Sequence, residues 1–154
     1  MARLEWLYVE LFDAEDTSAL DARALAELPR DAFAGARIVF ATALARLEVR
    51  YPVAELRHTL RETQSRPSPL PEADPHGLVL YRDHDGGVGY ERVSDAAFAV
   101  LGELMSGVPL VPACERVVER RPELGAEIET SIGAWFENWG RRGLIADVEV
   151  DAST

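Results

Sequence analysis

Lysine is absent from this chain of 154 residues, so all sixteen basic side chains are arginine. Against them stand 27 acidic residues, for a formal net charge of -11. Cationic charge is therefore scarce, and the field of the whole chain repels phosphate. Cysteine is nearly absent as well. A single residue, Cys114, excludes an internal disulfide and fits a reducing compartment. Apolar runs never approach the ~20 residues of a membrane-spanning helix. The N-terminal stretch MARLEWLYVELFDAEDTSALD carries acids where a signal peptide would not. The expectation is a cytoplasmic protein. A hydrophobic fraction of 47% with 28% charged residues is globular composition. A chain this long buries roughly two-thirds of its unfolded surface and needs no covalent staple.

Followed by segment, the charge is nowhere basic. Residues 1–63 hold eleven acids and eight arginines, net -3, and residues 64–76 are net -1. Residues 77–150 hold thirteen acids and seven arginines, net -6, and Asp151 adds the last. The boundary between these segments is QSRPSPLPEADPHG, which holds four of the nine prolines, Pro67, Pro69, Pro71 and Pro75. Proline removes backbone donors and fixes φ, so 64–76 reads as an extended connector. Residues 151–154 read as a tail.

In the first segment Leu4, Leu7, Tyr8 and Leu11 make one helical face. Asp21 precedes an Ala/Leu-rich turn or two ending at Pro29, and Asp31 is placed to cap the next helix. Phe33, Ala36, Phe40, Leu44, Leu47 and Tyr51 then recur at steps of 3, 4, 4, 3 and 4, a single apolar stripe. Pro52 ends that helix or starts another carrying Val53, Leu56 and Leu60. Residues 1–63 are thus expected to be a helical bundle.

The second segment changes period. LVLYR (78–82) and VGYERV (88–93) are β-rich runs around Asp85-Gly86-Gly87, which offers the positive-φ positions of a tight hairpin. Ser94 or Asp95 caps a helix with Phe98, Leu101, Leu104 and Met105, stopped by Gly107. A second helix starts near Pro112 with Leu110, Cys114, Val117 and Val118 inward. A third carries Ile128, Ile132, Trp135 and Trp139, and LIADVEV alternates as a short strand. Hairpin, three helices and a returning strand is the order of a winged-helix-like module over 77–150. The fold class expected is α+β, mainly helical.

Chemistry-bearing motifs are few. His58, His76 and His84 are far apart and form no paired metal-ligand spacing. Asp83 and Asp85 beside His84 admit a cation loop, but hairpin-tip turn chemistry makes a solvated tip the favoured reading. Cys114 lies on an inward stripe and reads as a small hydrophobe. No G-x-S-x-G, P-loop or G-x-G-x-x-G is present, and Gly86-Gly87-Val88-Gly89 lies between strands rather than before a helix.

A winged-helix order raises DNA binding. The helix that would enter the groove, 125–142, presents Glu127, Glu129 and Glu137 before Arg141 and Arg142. A recognition helix usually brings Arg, Lys, Asn or Gln there, so direct DNA binding is disfavoured. The Arg120-Arg121 and Arg141-Arg142 pairs read as solvated helix-end charges. Trp135 and Trp139 admit two readings: hydrophobic core, or one wall of a groove beside the hairpin that takes an added peptide strand.

Two stretches resemble a known family. They are LEWLYVELFDAEDTSALDARALAELP followed by LARLEVRYPVAELRHTL, and LVLYRDHDGGVGYERVSDAAFAVLGELMSGVPLVPACERVV with WFENWGRRGLI. Glu5-Trp6, Phe12-Asp13-Ala14, the Leu20–Leu28 segment and Tyr51-Pro52-Val53 carry the first. The family bears a DNA-binding-domain label and includes the partner subunits of methanobactin and 3-thiaglutamate biosynthesis. The second half is similar to the peptide-recognition elements of ribosomally made, modified peptide pathways.

The resemblance implies a non-catalytic subunit, with no catalytic residue and no cofactor or metal of its own. It implies two partners: a TIM-barrel, multinuclear non-haem iron oxidase that oxidises peptide cysteine, and the leader of the precursor peptide. Carried over, the leader groove would be framed by Val88, Tyr90, Arg92, Trp135, Asn138 and Trp139. Trp6, Tyr8, Phe12 and Tyr51 would meet the enzyme. Relatives carry a further N-terminal helical region to which the DNA label belongs, whereas this sequence starts directly at Leu4-Glu5-Trp6. The label is expected not to carry over. The competing expectation is a winged-helix transcriptional regulator.

Overall fold

A computed structural model of the chain describes residues 2–16, 18–20, 23–24, 27–64 and 71–150, apart from the Arg30 side chain. In chain order the elements are α1 (Ala2–Asp13), α2 (Arg30–Ala34), β1 (Arg37–Phe40), β2 (Leu44–Val49), α3 (Val53–Thr63), β3 (His76–Arg82), β4 (Val88–Val93), α4 (Asp95–Met105), α5 (Leu110–Arg120), a 3-10 turn (Pro122–Leu124), α6 (Gly125–Arg141) and β5 (Ile145–Glu149). The class is α+β, as the composition of periods predicts. Among the described residues no helix is long and apolar enough to cross a membrane.

Strand β3 is the centre of the molecule. It pairs antiparallel with β2 on one side and β4 on the other, in the order β2-β3-β4. Its residues from His76 to Tyr81 are all buried, because both faces of the sheet are covered. Leu78 and Leu80 face α1, where Leu4, Leu11, Ala43, Leu47 and Ala54 complete one core cluster. Val79 and Tyr81 face the other way, into a larger cluster with Leu101, Leu104, Val117, Ile128, Trp139 and Ile145. Burying each such Leu or Ile is worth roughly 1.5–3 kcal/mol. A continuous apolar run, Leu-Val-Leu-Tyr, is what a strand covered on both faces requires.

The winged-helix order of the second segment is present, with one difference in pairing. Ser94 is the cap of α4, its Oγ accepting from the Ala97 N–H at 3.2 Å. At the hairpin tip Gly86 alone has positive φ, +85°. Asp83 does the remaining work, its Oδ1 accepting from the N–H groups of Asp85 and Gly87. The returning strand β5 does not join the hairpin. It pairs with β1, Ile38 opposite Val148 and Phe40 opposite Ile145.

The helical bundle expected over 1–63 is corrected. Helix α1 forms as predicted and Pro52 begins α3, but the stripe from Phe33 to Tyr51 is not one helix. Helix α2 stops at Ala34 before Gly35, and 37–40 and 44–49 are strands. Arg-Ile-Val-Phe is rich in β-branched and aromatic side chains, and long-range pairing to β5 and β3 overrides the local period. Leu44 and Leu47 consequently enter different clusters, on opposite faces of the sheet. Strand pairing thus runs across the proline-rich segment. Asp31 lies in the first turn of α2 and makes no cap, Pro29 holding the cap position. Of the connector, 71–75 is free of helix and strand. The calls on 65–70, on Asp21 and most of the Ala/Leu-rich turn, and on the tail 151–154 lie outside the described residues.

Candidate functional site

Strand β4 ends its sheet: among the described residues it pairs with β3 alone, so its other edge carries unpaired backbone groups. Its side chains alternate between two helical layers. Glu91 faces α6, where its carboxylate accepts from Asn138 Nδ2 at 3.2 and 3.3 Å and pairs with Arg142 Nε at 3.3 Å. Arg142 also bonds the Tyr81 hydroxyl from β3. Val88 and Tyr90 face the opposite way and pack with the α1-side cluster. Arg92, exposed, makes a two-pronged pair with Asp74 at 2.6 and 2.9 Å. That pairing holds the Asp74 carboxyl below its ordinary range.

The six residues proposed to bind peptide therefore do not line one wall. Val88, Tyr90 and Arg92 lie towards α1 and α3, while Trp135, Asn138 and Trp139 lie on α6 against the other face, with the open edge of β4 between. Trp139 is only 2% exposed and contacts the rings of Phe40, Phe136 and Trp135. The core reading holds for Trp139. Trp135 is half-buried and stacks on it, with 6.4 Å between ring centroids.

On the α1 side a cleft of about 410 Å³ opens beside Val88, lined by Glu5, Tyr8, Val9 and Phe12 of α1 and by Arg57 and Arg61 of α3. Arg57 lies 3.7 Å over the Tyr8 ring while its Nε donates to Glu5 at 2.8 Å. Burial pushes the Tyr8 hydroxyl up, and Arg57 opposes that shift. No sequence motif links Arg57 to Glu5. Their 52-residue separation is bridged only by the fold.

Of the residues expected to meet a partner, Trp6 and Phe12 are exposed by 62% and 65%, with Val9 between them. Trp6 Nε1 donates to Glu10 at 2.7 Å. Tyr8 turns inward beneath Arg57. Tyr51 is exposed ahead of α3.

His76 is buried at the start of β3 rather than in a loop, its Nδ1 2.5 Å from the Asp74 carbonyl. His58 faces Glu62, and His84 is exposed at the hairpin tip. Cys114 is half-buried, and burial pushes its thiol up. The arginine pairs are not simply solvated: Arg120 bonds Glu103, Arg121 spans Asp95 and Glu123, and Arg142 is the hub described above. Among the described residues no three His, Cys, Asp or Glu side chains gather as a metal-holding group.

No protein-family model matches the chain, and no curated protein matches it.

Proposed function

We propose that this chain is a non-catalytic subunit that holds the leader of a precursor peptide against the open edge of β4 and presents it to an iron-dependent TIM-barrel oxidase acting on peptide cysteine. The single observation that carries the reading is the unpaired outer edge of β4, set between α6 and the α1–α3 layer. An extended peptide added there gains main-chain hydrogen bonds, and its side chains alternate towards both layers. Residues on one side would meet Val88, Tyr90 and the cleft beside Arg57. Those on the other would meet Trp135 and Asn138. The residues proposed for peptide binding thus serve from two faces rather than one groove, and Trp139 supports them from the core.

The exposed Trp6, Val9 and Phe12 of α1 are the surface proposed for the oxidase, which would carry the iron. The complex would work in the cytoplasm. Acidic charge in the second segment favours a cationic leader, chiefly through association rate.

Titrating the leader into the complex of this chain with its oxidase tests the proposal, with Trp135→Ala as comparison. Weaker binding by the variant, with its fold retained, supports the reading. Unchanged affinity would sink the α6 wall. A salt-dependent shift of duplex DNA at physiological ionic strength would favour a transcriptional regulator instead.

A further inference from the structure

A second cleft, of about 540 Å³, lies beside β2, the edge strand opposite β4. Its walls come from β2, the start of β3, α4 and α5. That volume falls within the 300–1,000 Å³ typical of small-ligand sites.

Arg46 dominates the cleft. It sits on β2 opposite Val79, and its guanidinium lies 3.9 Å from the centroid of the Phe98 ring. A Cβ at Gly102 would come within 2.5 Å of that guanidinium, so the glycine is what lets it lie against α4. Among the described residues its buried Nε has no hydrogen-bond partner and the side chain makes no ion pair. Burial pulls its pKa below the ordinary guanidinium value, with Glu48 and Glu103 acting against that. A partly desolvated cation without an ion pair is costly, and an anion at its Nη groups would relieve it.

The other arginines lining the cleft are already matched. Glu103 takes Arg116 and Arg120, and Asp95 takes Arg121. Glu48 is exposed at the mouth, where water screens it. Among the described residues Arg46 is thus the one lining arginine without an ion pair, and Glu48, Asp95 and Glu103 around it disfavour a dianion. Ala99 and Val117 give the cleft an apolar wall.

We propose that this cleft binds a monocarboxylate, its two oxygens on the Arg46 guanidinium and its apolar remainder against Ala99 and Val117. The carboxylate is either that of a small organic acid or the C-terminal group of a peptide. The site lies on the far edge of the sheet from β4 and does not depend on peptide pairing there.

Amide chemical shifts of the isotope-labelled chain, titrated with four probes, test it. The probes are benzoate, its neutral analogue benzamide, inorganic phosphate, and an acetylated dipeptide ending in phenylalanine with a free carboxylate. Saturable shifts at Phe98, Ala99 and Gly102 with a carboxylate, at a Kd of about 1 mM or tighter, are expected. Benzamide and phosphate should leave those amides unmoved, and Arg46→Gln should weaken carboxylate binding at least about tenfold. Tighter binding of benzoate assigns a small acid, and tighter binding of the dipeptide assigns a peptide end. Shifts as large with benzamide or with phosphate, or none with either carboxylate, would overturn the proposal. The benzamide comparison on the unaltered chain decides the matter even if the Arg46 variant fails to fold.

Discussion

Asn138 on α6 donates to both carboxylate oxygens of Glu91 on β4, and Arg142 joins the same carboxylate one helical turn later. This contact ties α6 to the strand whose outer edge is open. It holds the helix at a fixed distance from any strand added there. A double-mutant cycle of Glu91→Gln and Asn138→Ala should return a coupling of about 0.5–3 kcal/mol in urea unfolding. Additive single effects would show the pair to be incidental.

The two tryptophans of α6 should separate by role. Trp139 is enclosed by three rings, so Trp139→Ala should cost about 3–5 kcal/mol of stability. Trp135 is half-buried and should cost distinctly less. Thermal unfolding of both variants checks this, and equal losses would contradict the packing described.

Arg82, the last residue of β3, ties the hairpin to the C-terminal end of α1. Its Nη1 donates to the carbonyls of Leu11, Phe12 and Ala14, and its Nη2 to Asp16. A cation at a helix C-terminus also favours the helix dipole. Arg82→Ala leaves those carbonyls without their donor and should lower stability by about 1–3 kcal/mol. Amide exchange in α1 should accelerate in the same variant. A stable variant with unchanged α1 exchange would refute the capping role.

Acid sensitivity follows from Asp74. The Arg92 hydrogen bonds hold its folded-state pKa below the ordinary 3.8. Its stabilising contribution is therefore complete above that ordinary value and is lost as pH falls through the folded-state pKa. Asp74→Asn should flatten that part of the acid limb and leave the neutral-pH slope unaltered. Unfolding measured between about pH 2 and pH 7 checks the sign. A variant whose stability falls as steeply in acid would show that Asp74 does not contribute.

Legibility in the sequence depended on how locally each element is determined. Ser94, the Gly86 tip and the apolar steps of α4 to α6 act within one turn or one face, and all were readable. The run from Phe33 to Val49 was not, because its steps fit a helix while its pairing partners, β3 and β5, lie from about 30 to over 100 residues away. The site was legible in the same proportion. The hairpin and α6 were found, but the division of their side chains between two faces depends on the sheet's twofold alternation and on α1 covering one side. Arg57 and Arg46 were missed since their importance comes from the rings beneath them, Tyr8 and Phe98. No spacing announces such a contact.

Amide hydrogen exchange of this chain in complex with its oxidase, with and without the leader, addresses the role of β4 without altering a residue. Added-strand binding predicts that protection rises across Val88–Val93, while β2 at Leu44–Val49 is unchanged. Protection that leaves β4 untouched, or that appears at the first turns of α6 with duplex DNA instead, would contradict it.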